Sequence, residues 1–297
     1  MLSVPQKKKR RSPDLATLYR RYHETKAKLA AAGIDDCAFE AMVIMETVTG
    51  KSKARIIGDY ESELTIDEER KLLSTLALRM AHYPLQYILG YWEFYGRKFL
   101  VGEGVLIPRQ DTEKVIEVCI EHLKDIKRPK IIDLCAGSGC IGITLAKEVP
   151  NSSVIMVEKY EHAVRYLLEN ASEISPENTT LIMDDIFDDV RLTSRVHLIV
   201  SNPPYLSDED MKDLQPELLY EPETAFYGGS DGLYFYRRIA KEYKRYIKPK
   251  GALVFEIGAA QGEAVKDILE KEGYTDVRII KDYSRNDRVV IGTVPRV

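Results

Sequence analysis

From Lys130 to the C-terminus, short apolar runs alternate with longer amphipathic stretches, and this alternation most narrows the folds open to the chain. The runs at 130–134, 153–158, 179–183, 197–201, 251–257, 277–282 and 287–293 have strand character. Helical spacing fills 140–148, 161–171, 231–247 and 261–272. Strands separated by helices imply a mostly parallel α/β sheet covered on both faces. The last two runs, Val277-Arg-Ile-Ile280 and Arg288-Val-Val-Ile291, lie too close for a helical crossover. They read as an antiparallel pair closing the sheet edge.

The part before Lys130 has another character. From Asp14 to about Tyr83 no convincing strand occurs. Leu15, Leu18, Tyr22 and Leu29 give helical spacing that stops at Gly33. A second helix runs from Phe39 to Thr49, and 52–59 reads as a short third one. A fourth starts at Thr65-Ile-Asp-Glu-Glu69 and runs to His82, with Thr65 and Asp67 as candidate N-caps. This is a small helical bundle that Pro84 ends. Strand composition around Gly96, from Glu93 to Val101, followed by Val105-Leu-Ile107, fits a β-hairpin linker. Asp111-Thr112-Glu113 then opens a helix to about Lys124. The expected domains are therefore a basic lead-in at 1–13, a helical bundle at 14–84, a hairpin linker at 85–108 and an α/β domain at 109–297.

A net charge of −4 over 297 residues offers no electrostatic basis for bulk nucleic-acid binding. No apolar stretch is long enough to cross a bilayer, and none follows the basic run Lys7–Arg11 as a signal peptide requires. The four cysteines form no CxxC pair or disulfide-like framework, so a reducing cytoplasm is expected. No metal-ligand spacing occurs.

Chemistry enters at two turns. Ile131-Ile-Asp-Leu-Cys-Ala-Gly-Ser-Gly-Cys-Ile-Gly142 is a strand, a glycine-containing turn and a helix start. Gly137 and Gly139 allow tight turning and close backbone approach, so Cys135, Ala136, Gly137, Ser138 and Gly139 are candidate cofactor contacts. Glu158 ends the next strand, placed to accept hydrogen bonds from ribose hydroxyls. In Asp184-Asp185-Ile186-Phe187 an acid can bond an adenine amine while an apolar side chain packs on its ring. The pattern suits a dinucleotide or S-adenosylmethionine. The second turn is Asn202-Pro203-Pro204-Tyr205, at the end of the run 197–201. Two prolines cannot continue a strand, so the chain must turn out of the sheet. The carboxamide of Asn202, free carbonyls and the ring of Tyr205 form a claw for a planar –NH2 group. That arrangement suits methyl transfer to an amide or exocyclic amine nitrogen.

With both turns present, the chain resembles the class I S-adenosylmethionine-dependent methyltransferases that act on amino groups. Pro108-Arg109-Gln110-Asp111-Thr112-Glu113 is similar to the Pro-Arg-x-x-Thr-Glu signature of the release-factor glutamine N5-methyltransferases. Further matches are Pro84-Leu-Gln-Tyr-Ile-Leu-Gly90, Glu93-Phe-Tyr-Gly96, Glu221-Pro-Glu-Thr-Ala225, Gly229-Ser-Asp-Gly-Leu233, Gln261-Gly262 and Asp282-Tyr283 with Arg288. They keep family order from about Thr17 onward. One departure is Cys135, where the family often has the first glycine of its motif.

The resemblance implies a Rossmann-like class I methyltransferase sheet and methylation of the glutamine in the Gly-Gly-Gln loop of bacterial peptide-chain release factors. It implies that the helical domain helps recognise that partner. Asn202 and the Pro203 carbonyl would accept the two amide hydrogens, with Tyr205 and Phe94 packing on the amide. Arg109, Thr112 and Glu113 would frame the methionine end of the cofactor, although Arg109 also reads as a structural ion pair. A monomer with no direct nucleic-acid or membrane contact is expected. The competing readings are a base N-methyltransferase using the same claw on a flipped base, a non-catalytic module that kept the fold, and a dinucleotide oxidoreductase.

Overall fold

The structure is a computed structural model that describes residues 16–174, 177–188, 190, 192 and 194–296. The basic lead-in at 1–13 lies outside the described residues. The chain divides into two compact units, one ending at Leu89 and the other beginning at Gly90.

The first unit is helical: α1 (Leu18–Ala31), α2 (Cys37–Thr49), α3 (Lys53–Gly58), α4 (Ile66–Met80) and α5 (Leu85–Leu89). Local side chains cap two of these helices at their starts. The Thr17 hydroxyl accepts the Arg20 amide at α1. At α4, Thr65 and Glu68 form a reciprocal capping box. Gly50 closes α2 in the left-handed conformation that favours glycine. Leu18, Leu29, Ile44, Met45, Ile56 and Leu72 fill the core, and Arg79 pairs with Glu40 at 2.6 Å across α4 and α2. No helix among the described residues is long and apolar enough to cross a membrane.

The second unit opens with a hairpin, β1 (Tyr91–Phe94) and β2 (Arg97–Leu100). Tyr95 (φ 49°) and Gly96 (φ 70°) make its two-residue turn. Positive φ at both positions matches the twist of the flanking strands. The hairpin is thus complete by Leu100. Val105–Ile107, expected as a strand, lies outside the strands of both sheets, with a bend at Val105, and Val105 and Leu106 line the site described below. Next come α6 (Glu113–Leu123), β3 (Lys130–Leu134), α7 (Cys140–Glu148), β4 (Ser153–Glu158), α8 (Glu161–Ile174), β5 (Thr179–Met183) and β6 (Val196–Ser201). The chain ends with α9 (Tyr234–Glu242), β7 (Ile247–Glu256), α10 (Gly262–Lys271), β8 (Thr275–Lys281) and β9 (Asp287–Thr293). Helix α9 is shorter than the expected 231–247, because a tight turn at Lys244–Tyr246 diverts the chain into β7 at Ile247.

Among the described residues seven strands form one sheet in the order β5-β4-β3-β6-β7-β9-β8. Strands β3 to β7 are parallel, and β9 is antiparallel to both β7 and β8. Side chains alternate between the two faces. Ile131, Ala252 and Val254 join a core with the hairpin, α6, α7 and α8. Ile132, Leu253 and Phe255 join another with α9 and α10. Both faces are dry, which is why the central strands read as unbroken apolar runs.

Candidate active site

From β3 the chain winds outward through β4 and β5; from β6 it winds the other way through β7. The boundary between β3 and β6 is a switch point, where the loops beyond the strand ends part and leave a crevice. Leu134 is in register with Ser201, whose hydroxyl donates to the Leu134 carbonyl at 2.7 Å. The glycine turn and the Asn202 turn therefore leave adjacent strands side by side.

In the glycine turn, Gly137 and Gly139 take positive φ, and so does Cys135 at 59°. The fully buried Asp133 accepts the Gly142 amide at 2.8 Å, tying the start of α7 to β3. A Cβ at Gly142 would lie 2.6 Å from Met156 and 3.0 Å from Asp133, so close packing requires glycine there. Glu158 accepts the amides of Gly137 (2.8 Å), Lys159 and Tyr160 (2.9 Å each). Its carboxylate shapes the turn and keeps acceptor capacity for a ligand. Burial pushes the Cys135 thiol far above its ordinary range and Cys140 to about 12. Both are therefore neutral and poor nucleophiles.

Cys135, Ala136, Gly137, Ser138, Glu158, Asp185 and Ile186 line one cleft of about 990 Å³, open mouth included. Gly139 lies just behind it, starting α7. Burial alone would raise the Asp185 carboxyl, but Lys159 at 2.8 Å and the Phe187 amide outweigh it and hold the pKa below the ordinary value. Ile186 is buried, and Phe187 stacks on Tyr234 with centroids 4.7 Å apart. The cleft thus has acids beside an apolar shelf. That donor set fits a ribose, a flat heterocycle and a cationic tail.

On the other side of Asn202 lies a second cavity of about 880 Å³, lined by Leu106, Arg109, Asn202, Tyr205, Glu221 and Glu256 among others. Asn202, Arg109, Leu106 and Ala225 face both cavities. Among the described residues no hydrogen bond engages the Asn202 carboxamide, and the carbonyls of Asn202 and Pro203 accept none from the backbone. Pro203 is buried and lines neither cavity, whereas Pro204 lines the first and Tyr205 the second. Tyr205 is held from behind. Its amide donates to Phe226 (3.0 Å), and its carbonyl accepts Gln261 Nε2 (2.9 Å). Burial, with Glu256 nearby, raises its hydroxyl to about 12.

Two candidate residues stand elsewhere. Phe94 is 1% exposed, packed against Phe99 in the core beneath the hairpin, and lines neither cavity. Glu113 accepts the Tyr95 amide at 2.8 Å and also lines neither. Its carboxylate anchors the hairpin turn to α6. Thr112 does line the first cleft. Arg109 pairs with the buried Glu221, which also accepts the Ile107 amide at 2.9 Å. Glu221 thereby fixes the 105–109 segment across both cavities.

Glu256 carries no assignment from the sequence, although it ends an apolar strand just as Glu158 does. The shared signal is a carboxylate at the carboxyl end of a buried strand.

Residues 108–226 match the family described as Methyltransferase small domain, and residues 22–90 match the PrmC N-terminal domain. The chain is 38% identical over 261 residues to a release factor glutamine methyltransferase of Fusobacterium nucleatum subsp. nucleatum, covering 87% of this chain and 74% of that protein. It is 35% identical over 283 residues to one from Geobacter sulfurreducens, covering 95% and 98%. A solved methyltransferase from Pyrococcus furiosus superimposes with a TM-score of 0.51 at 17% identity, over 78% of this chain and 100% of that one, a likeness of fold alone. Identity sustained across nearly the whole Geobacter protein goes beyond shared architecture, and the chain belongs to the release factor glutamine methyltransferase family.

Proposed function

We propose that this enzyme transfers a methyl group from S-adenosylmethionine to the side-chain nitrogen, N5, of the glutamine in the Gly-Gly-Gln loop of bacterial peptide-chain release factors. The observation that carries the reading is the position of Asn202. It stands on the wall common to two cavities with its carboxamide and neighbouring carbonyls unengaged.

The turn of Cys135, Ala136, Gly137 and Ser138 would hold the methionine end of the cofactor, with Arg109 and Thr112 closing it. Glu158 would take the ribose hydroxyls, and Asp185 with Ile186 the adenine. When bound, the cofactor supplies an electrophilic methyl group on a sulfonium. Everything else falls to the protein.

A carboxamide nitrogen is a poor nucleophile, because its lone pair is delocalised into the carbonyl. Asn202 Oδ1 and the Pro203 carbonyl accept its two hydrogens and orient the nitrogen toward the first cleft. Tyr205, neutral and held by Phe226 and Gln261, packs on the amide face. Orientation of this kind contributes several kcal/mol, up to about 7–11 in ideal cases. As the nitrogen gains positive charge, the two acceptors bind the transition state more tightly than the substrate. The helical unit would contribute release-factor recognition, and the enzyme would act as a cytoplasmic monomer.

The test is incubation with S-adenosylmethionine and an unmethylated bacterial release factor, followed by peptide mass spectrometry. One methyl on the Gly-Gly-Gln glutamine supports the reading. A methyl elsewhere, or none with cofactor binding intact, overturns it.

A further inference from the structure

We propose that Glu256 is the proton acceptor of the reaction, taking the proton that the amide nitrogen sheds as it is methylated. The inference deepens the functional reading above and rests on it.

Four observations place Glu256 for this role. It is the last residue of β7, next to β6, with Phe255 in register with Ser201, so Glu256 and Asn202 each come one residue beyond that register pair. It lines the second cavity together with Asn202 and Tyr205. It is 2% exposed. Its Oε2 has no hydrogen-bond partner among the described residues. A buried carboxylate oxygen left unpaired is costly and calls for a ligand or a chemical use.

The surroundings keep the group close to its midpoint. Burial raises its pKa to about 7; the Thr112 hydroxyl, Arg288 and Arg109 draw it down, and Asp111 pushes it up. Arg288 is shared with Asp111 (3.1 Å) and Asp282 (3.3 Å), and Arg109 is paired with Glu221, so neither cation is committed to Glu256. Tyr205 and Tyr236 are neutral, as is Cys140 at the start of α7. The Tyr236 hydroxyl donates to the Glu256 main-chain carbonyl at 2.9 Å and not to Oε2. A base is most effective when its pKa lies near the working pH.

The step balances. The nitrogen lone pair forms the new N–CH3 bond, and the S–CH3 pair stays on sulfur. As the methylated nitrogen becomes tetrahedral, one of its two hydrogens leaves its carbonyl acceptor for Glu256; the N–H pair returns to nitrogen to restore amide conjugation. A cationic donor and an anionic carboxylate become a neutral thioether and a neutral acid. Loss of both charges is favoured where water is excluded.

The test compares wild type with Glu256→Gln, close in shape and unable to accept the proton. The variant is expected to lose about 10²–10³-fold in kcat. Its KM for the release factor and its calorimetric affinity for S-adenosylmethionine should stay within about threefold, since the shape of the cavity is kept. Wild-type kcat should rise with pH to a plateau above about 7, and this limb should vanish in the variant. Independently of turnover, infrared titration of the cofactor-free protein should show two buried carboxyls ionising above the ordinary range in wild type, Glu256 near pH 7 and Asp133 near 8, and only that of Asp133 in the variant. A variant with wild-type kcat and pH profile overturns the proposal while leaving the functional reading intact. So does an infrared titration in which Asp133→Asn removes every carboxyl ionising near neutral pH, a result that needs no folded Glu256 variant. Wild type that methylates no release factor overturns both.

Discussion

Asn202, Glu158 and Cys135 show how far single residues can be read. Asn202 was legible because two following prolines forbid any continuation of the strand, so its side chain had to leave the sheet. Its replacement by Ala is expected to cut kcat by at least about a hundredfold, the scale seen when one preorganised transition-state contact is lost. S-adenosylmethionine affinity by calorimetry should change only severalfold; near-normal turnover would remove the claw from the mechanism. The place of Glu158 at the end of β4 was legible from its spacing, but the three backbone amides it accepts were not, because a sequence does not show where main-chain donors point. Cys135 departs from the family glycine, and its φ of 59° shows that the backbone kept the glycine conformation with a side chain in place. Phe94 and Glu113 were misplaced for one reason: a motif match marks residues that matter without separating those that touch ligand from those that hold the scaffold. Asp133 has its own consequence. Burial raises its pKa to about 8, so the folded protein holds a proton that the unfolded chain has released between about pH 4 and 8. Stability therefore falls as pH rises through that window, by up to about 1.4 kcal/mol per pH unit from this group. Asp133→Asn should flatten that fall in denaturant titrations at pH 6 and 8. An unchanged slope would mean that the carboxyl is ionised in the native state.

At the scale of elements, the strands were the most legible part, since burial on both faces leaves continuous apolar runs between turns. Capping chemistry marked α4 equally well through Thr65. Legibility failed where tertiary contacts decide. Val105–Ile107 has strand composition, yet Glu221, more than a hundred residues on, captures the Ile107 amide and holds the segment as a wall of the site. The claw likewise depends on a distant element. Gly228 abuts it so closely that a Cβ there would lie 2.7 Å from both the Pro204 carbonyl oxygen and Tyr205 Cα. Gly228→Ala must push the Asn202–Tyr205 turn outward. Turnover should fall about a hundredfold, as expected for a displacement near 1 Å, while β6 and the glycine turn at 135–139 stay in place. Circular dichroism and cofactor calorimetry would separate that outcome from unfolding; wild-type kinetics would show that the turn tolerates the shift.

At the scale of the molecule, residues from Gly90 onward own two cores and every residue of both cavities. A fragment of residues 90–297 is therefore expected to fold and to bind S-adenosylmethionine within about threefold of the full chain, as an independent domain should. Its kcat/KM toward release factor should drop sharply. Calorimetry and methylation assays check the two halves of that statement, and full activity of the fragment would deny the helical unit a part in recognition. The division into helical and α/β parts was visible in the change of apolar period; the wall common to the two cavities was not, because it depends on β3 and β6 being neighbours despite the two strands between them in sequence. That adjacency has a consequence of its own. Neighbouring strands lie about 4.8 Å apart whatever is bound, and the glycine turn and the Asn202 turn, the two walls of the proposed reaction centre, each hang from one of them. The sheet is a fixed gauge: the reach of the acceptor side chain must match it, since no hinge between the walls can make up a shortfall. A release-factor loop carrying asparagine in place of glutamine falls one methylene short, over 1 Å, and should be methylated about a hundredfold more slowly even when bound equally well.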